Sequence, residues 1–300
     1  MLFALLLSIS FLVLFYGLLW KAIPKGNLLH ELLHLPPLWF HLVFSPGRDF
    51  REERIPYGRH RRQYVLWCTP PENIPVKPVI LFYFHGGGWQ FGAPEQFRSH
   101  AQQFTQMGFV VVMPSYRRAP RYNYLHMRED LTSILLKTRE ILAKRGMGEK
   151  KALIGGMSAG GNMAALSALN HEALEQAGLS PGWFRGLFLL GAPLQLEKMA
   201  NTVPLRNFAG PRNQPMFQQA NPYWYVNKPL NIPTLIIHGT KDGMVAFESA
   251  REFAIRMKAF NTAESRFVPL PEGSHLDAAS WPFRQGLARN AFLEWLKDHS

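Results

Sequence analysis

One cysteine, Cys68, stands alone in 300 residues. A lone thiol has no internal partner, so no disulfide framework organises this chain, and the compartment is left open. Neither a zinc-finger spacing nor an aromatic RNA-binding signature is present. That argues against a nucleic-acid partner even though the net charge is +12 and the pI is about 10.0. The excess of cations then reads either as plain solubility charge or as attraction to an anionic membrane surface. No repeat period and no low-complexity tract occurs, which excludes solenoids and long disordered arms. No metal or cofactor is called for: His30, His34 and His41 are spaced through an apolar stretch and belong to no site that needs them.

What the chain does have is 47% hydrophobic residues, enough for one large domain with a buried core. The 23 prolines and 24 glycines are spread along it, as suits a loop-rich α/β domain better than a protein with a linker.

The longest uncharged apolar run lies at the N-terminus. Residues 2–20 read LFALLLSISFLVLFYGLLW. At 1.5 Å rise per residue such a helix spans roughly 28 Å, close to the thickness of a bilayer core. A cleaved secretory signal would carry a positive charge ahead of the run and a small-x-small cleavage site, and neither is present. Residues 2–20 are therefore read as an uncleaved transmembrane anchor, with membrane lipid as a partner. Lys21, Lys25, Arg48, Arg51, Arg54, Arg59, Arg61 and Arg62 all lie downstream, which favours the cytoplasmic side for the domain that follows. Residues 21–60 form a membrane-proximal segment. Within it, Leu28 to Phe44 is expected as a helix broken at Pro36-Pro37, either lying near the membrane surface or packed on the domain as a cap.

From residue 61 to 300 short apolar strands alternate with helices. Strands are expected at Gln63–Cys68, Val79–Phe84, Phe109–Met113, Ala152–Ile154, Leu187–Leu190, Thr234–His238 and Ser265–Val268. Helices are expected at Glu95–Met107, Met127–Lys144, Gly161–Leu174, Phe247–Phe260 and Phe283–Lys297. Continuously apolar strands separated by helices predict an α/β fold with a mostly parallel central sheet and helices on both faces. Functional groups in such sheets gather beyond the carboxyl ends of the strands.

Two motifs stand at such ends. Gly156-Met157-Ser158-Ala159-Gly160 fits G-x-S-x-G, in which a sharp strand-to-helix turn exposes the serine oxygen near a helix N-terminus. By composition it arises by chance roughly 0.1 times in this length, so alone it is modest evidence. His85-Gly86-Gly87-Gly88-Trp89 is the second, with backbone N–H groups that can approach a developing oxyanion. It arises by chance on the order of 0.01 times, and the Gly-Lys-Ser/Thr that a phosphate loop needs is absent. Two parts of one mechanism in the right order reinforce each other.

HGGGW, GMSAGG and the intervening Ser115-Tyr116-Arg117-Arg118-Ala119-Pro120 together resemble the hormone-sensitive-lipase-like branch of α/β-hydrolase esterases. They are similar also to the feruloyl-esterase-like and kynurenine-formamidase-like groups. The resemblance runs over about residues 60 to 298. It implies a cofactor-free hydrolase, mostly of carboxylic esters, with oxyanion donors at Gly87, Gly88 and Ala159. Met157 and Ser115 stand where many relatives have aspartate, and this blurs the subfamily.

In this fold the order is serine, then acid, then histidine. Asp242, after the TLIIH strand, is the candidate acid, with Glu248 as the alternative inside a helix. His275, between the last strand and the last helix, is the candidate base, while His238 reads as a strand-end structural residue and His299 as part of a frayed terminus. Ser158 is thus the expected nucleophile, His275 its base and Asp242 the residue that orients His275. Residues 192–230, rich in Met199, Phe208, Met216, Phe217, Tyr223, Trp224 and Tyr225, are read as a lid or cap over an apolar pocket, or as ordinary packing on the sheet. The expected activity is hydrolysis of apolar carboxylic esters. An amidase or formamidase and a polysaccharide deacetylase are alternatives, as is a catalytically silent membrane-bound binding module.

Overall fold

The computed structural model describes residues 16–44 and 49–300. Most of the expected anchor, residues 2–15, lies outside them. Residues 16–22 are helical, and among the described residues no helix is long and apolar enough to cross a membrane.

Eight strands form one sheet: β1 (Arg51–Pro56), β2 (Tyr64–Thr69), β3 (Val79–Phe84), β4 (Val111–Pro114), β5 (Lys151–Met157), β6 (Phe184–Leu190), β7 (Thr234–Gly239) and β8 (Ser265–Leu270). Their spatial order is β1-β2-β4-β3-β5-β6-β7-β8. β1 and β2 pair antiparallel at one edge, and every pairing from β4 to β8 is parallel. The central strands are buried on both faces because helices cover both, as their unbroken apolar runs require.

The helices are α1 (Leu28–Phe44), α2 (Arg98–Gln106), α3 (Tyr124–Lys144), α4 (Ala159–Leu169), α5 (His171–Gln176), α6 (Val203–Ala209), α7 (Pro215–Gln219), α8 (Phe247–Phe260), α9 (His275–Ala279) and α10 (Leu287–His299). On one face Met127, Leu131, Met163 and Phe253 from α3, α4 and α8 pack with Ile80, Phe82 and Ile154 of the sheet. On the other, Leu38 and Leu42 of α1, Phe104 of α2 and Phe292 and Trp295 of α10 pack with Leu81, Leu153 and Phe188. Burying such side chains is worth about 1.5–3 kcal/mol each.

Four features depart from the sequence reading. β1 was not expected, because REERIP is an exposed, charged edge strand without an apolar signal. It is held by its antiparallel register with β2 and by charge pairs such as Arg98–Glu52 at 2.5 Å. The expected helix Gly161–Leu174 is two helices, since Asn170 is extended and its side chain accepts from the Ala173 N–H to cap α5. The expected helix Glu95–Met107 begins with a 3-10 turn over Pro94–Phe97.

Finally, α1 runs unbroken through Pro36 and Pro37. Pro37 has no N–H to give the Leu33 carbonyl four residues back, and the Tyr16 hydroxyl donates to that carbonyl instead. That carbonyl is served from outside the helix. The helix lies on the domain, against α2 and α9.

Candidate active site

Ser158 sits between β5 and α4 with φ 55° and ψ −128°. A non-glycine residue there stores roughly 1–3 kcal/mol of strain, which the surroundings must impose. The Ser158 N–H donates to the Leu190 carbonyl at the end of β6, 2.8 Å away. Behind the turn, a Cβ on Gly160 would fall 2.1 Å from the Phe84 carbonyl oxygen, so only glycine lets α4 start this close to β3. The serine is left partly exposed at the N-terminus of α4, where helix partial charge favours an anion.

The His85–Gly88 run leaves the end of β3 and passes in front of this turn. A Cβ on Gly86 would lie 3.4 Å from that of Ser158. Gly87 and Gly88 have φ of 126° and 57°, and Trp89 follows at 59°. His85 is fully buried, stacked on Tyr116 with ring centres 4.8 Å apart, and Tyr116 donates its hydroxyl proton to the His85 carbonyl. Burial pushes the His85 pKa down to about 3, so it is a neutral prop for the loop. Trp89 stacks on Phe208 at 4.2 Å and donates to Asn162 of α4. Residues 203–209 of the expected lid thus lie against the glycine run, with Pro204 3.9 Å from where a Gly88 Cβ would stand. Phe208, Phe217 and Val226 are buried in the main core, and this fastens the segment to the sheet.

Asp242 follows β7 and His275 opens α9. His275 Nδ1 lies 2.7 Å from Asp242 Oδ2. The other carboxylate oxygen accepts from the Met244 and Val245 N–H groups at 2.9 and 2.7 Å. Burial would raise the Asp242 pKa, but His275 beside it and the hydrogen bonds from His238 and His275 outweigh that and hold it well below the usual carboxylate range. Burial would lower the His275 pKa, but the Asp242 charge and hydrogen bond, with a further contribution from Glu31, raise it above the ordinary histidine value. The pair is on the same edge of the sheet as Ser158. Gly191, directly after the Leu190 that holds Ser158, would bring a Cβ within 3.3 Å of His275 Nδ1.

Glu248, the alternative acid, is exposed and pairs with Arg251 at 2.6 Å. His238 does more than end a strand: its Nε2 lies 3.2 Å from Asp242 Oδ2 and 3.0 Å from the Val245 carbonyl. Glu31, which the sequence did not single out, is wholly buried and accepts from the backbone N–H groups of His275 and Gly243 at 2.8 and 3.0 Å. Its only sequence signal is an acidic residue in an apolar helix. Among the described residues no cluster of His, Cys, Asp or Glu suits a metal ion.

Residues 81–228 match the family described as the alpha/beta hydrolase fold. The chain is similar to the esterase LipQ of Mycobacterium tuberculosis, with 25% identity over 283 residues, which are 88% of this chain and 66% of that one. It therefore spans just under two thirds of that relative's length. Among solved structures, a truncated carbohydrate esterase from gut microbiota superposes with a TM-score of 0.72 at 17% identity, covering 85% of this chain and 99% of that one. Esterase 2 of Thermogutta terrifontis, phosphorylated by paraoxon, superposes with a TM-score of 0.63 at 26% identity, covering 85% and 95%.

Proposed function

Because the chain belongs to the carboxylesterase branch of the α/β-hydrolases, we propose that it is a serine hydrolase of carboxylic esters that works through Ser158, His275 and Asp242. The observation that carries this is the strained Ser158 turn on the sheet edge that also holds the buried His275–Asp242 pair. His275 takes the Ser158 proton as the serine oxygen attacks the ester carbonyl. Asp242 fixes the imidazole tautomer and stabilises the imidazolium. The N–H groups of Gly87, Gly88 and Ala159 receive the oxyanion. Collapse of the tetrahedral intermediate releases the alcohol, which takes the proton from His275, and water then frees the acid from the acyl-enzyme.

Apolar esters are the substrate class in this reading. Phe91 and Val203 are exposed beside the glycine run and α6, and Trp224 is exposed further along the same segment. Residues 192–230 serve as the wall of the acyl pocket. The test is labelling by a fluorophosphonate probe together with a panel of acyl esters, formyl amides and acetylated sugars. Wild type is expected to label and to prefer acyl esters, and Ser158→Ala to do neither. Equal labelling of Ser158→Ala would sink the proposal, and turnover of formyl amides alone would make the enzyme an amidase.

Attachment to a membrane belongs to the same proposal. Its support is the apolar run at residues 2–20, the exposed Leu28, Leu29, Leu32 and Trp39 of α1, and Lys21 and Lys25 ahead of that helix in sequence. The downstream cations favour a cytoplasmic catalytic domain. Carbonate-washed membranes are expected to retain the full chain; its release would contradict an anchor.

A further inference from the structure

The segment from Lys25 to Glu31 touches the acid and base loops at three points. Lys25 Nζ pairs with Asp277 Oδ2 at 2.9 Å, and Asp277 in turn caps the start of α9 by accepting from the Ser274 N–H. Asn27 lies so close to Gly243 that a Cβ there would stand 2.5 Å from the Asn27 carbonyl oxygen. One oxygen of Glu31 bridges the N–H of His275 and the N–H of Gly243, the residue after Asp242. His275 is the first residue of α9, so its N–H has no acceptor within that helix, and Glu31 supplies one from 244 positions away in sequence.

We propose that Glu31 is a positioning residue for the catalytic pair: it fixes the Asp242 and His275 loops relative to each other and places a negative charge behind the base. This rests on the reading of Ser158, His275 and Asp242 given above. Two arguments lead to it. A single acceptor shared by both loops couples the position of the acid to that of the base, and the 2.7 Å contact between them is what that coupling preserves. The second argument is electrostatic. Glu31 is buried, its other oxygen has no hydrogen-bond partner, and no cation pairs with it among the described residues. Its carboxylate adds to the larger effect of Asp242 in favouring the His275 imidazolium. The other charged group acting on His275 is Asp242, which is shared with His238; Asp277, two residues on in α9, is matched by Lys25 and Arg284.

Glu31→Gln and Glu31→Ala separate the two contributions. Glutamine keeps an oxygen that accepts from both N–H groups and removes the charge. Alanine removes both and leaves two buried donors unpaired. Glu31→Gln is expected to move the acid limb of kcat/KM to lower pH by about half a unit to one unit. An NMR titration of the His275 ring is expected to move equally, with no substrate needed. Glu31→Ala is expected to lose about 10- to 100-fold in kcat with KM within about threefold of wild type. Glutamine is expected to recover most of that loss, with circular dichroism confirming that both variants fold. An unmoved limb and ring titration in Glu31→Gln, or a wild-type kcat in Glu31→Ala, overturns the role of Glu31. Those results leave Ser158 labelling intact, whereas failure of the hydrolase reading would appear as absent or Ser158-independent labelling. Should the alanine variant fail to fold, the glutamine variant and its ring titration decide.

Discussion

The two halves of the candidate site are built in opposite ways. The Ser158 half is local: β5, the strained turn and α4 are consecutive, and their geometry comes from small residues packed on the adjacent β3 and β6. The Asp242–His275 half is assembled from distant pieces. Its two loops are 33 residues apart and are tied together by a carboxylate on a helix more than 200 residues upstream. The Ser158 turn is thus held by close packing on the two adjacent strands and a hydrogen bond to one of them, whereas the Asp242–His275 pair is held by a group from the far end of the chain.

The largest effect that sharpens this contrast is at the acid. Asp242→Asn is expected to cut kcat by about 10³- to 10⁴-fold, because an amide neither fixes the productive imidazole tautomer nor stabilises the imidazolium. Steady-state kinetics with retained secondary structure checks this, and a loss below tenfold would remove Asp242 from the mechanism. The second prediction concerns the local half. Ser158→Gly relieves the φ 55° conformation while Ser158→Ala keeps it, so the glycine variant should be the more stable by about 1 kcal/mol. Equal midpoints in denaturant would show that the turn is unstrained.

The smallest effect is in pH. Since the proposed base, His275, must be neutral and its pKa is raised, kcat/KM should climb with pH through a single limb lying above the ordinary histidine value of 6.5. His85, pushed down to about 3, cannot be the source of that limb. The linkage has opposite signs for the two partners. The raised His275 pKa contributes stability below its unfolded value that is lost as pH rises through the folded value. The depressed Asp242 pKa contributes stability above its unfolded value that is lost on acidification. A limb below 6.5 would mean that the pair does not hold His275 as described.

Much of the core was legible because its signals are short-range. VILFYF and TLIIH read as buried strands, and FESAREFAIRMKAF read as a helix over the same residues that form α8. β1 was illegible because an edge strand has little to bury and shows only its charges. The passage of α1 through Pro36-Pro37 was illegible because the Tyr16 hydroxyl, not the helix, serves the stranded carbonyl. His238 read as structural, since nothing along the chain says that its Nε2 reaches Asp242.

By itself the sequence determined the elements that depend on neighbouring residues: the alternation of strand and helix, the glycines around Ser158 and the order of the candidate serine, acid and base. Only the tertiary structure decided how Asp242 and His275 are held. A buried N–H takes whatever acceptor the fold brings within about 3 Å, and that acceptor, Glu31, is fixed by the docking of α1 and by no pattern near residues 242 or 275.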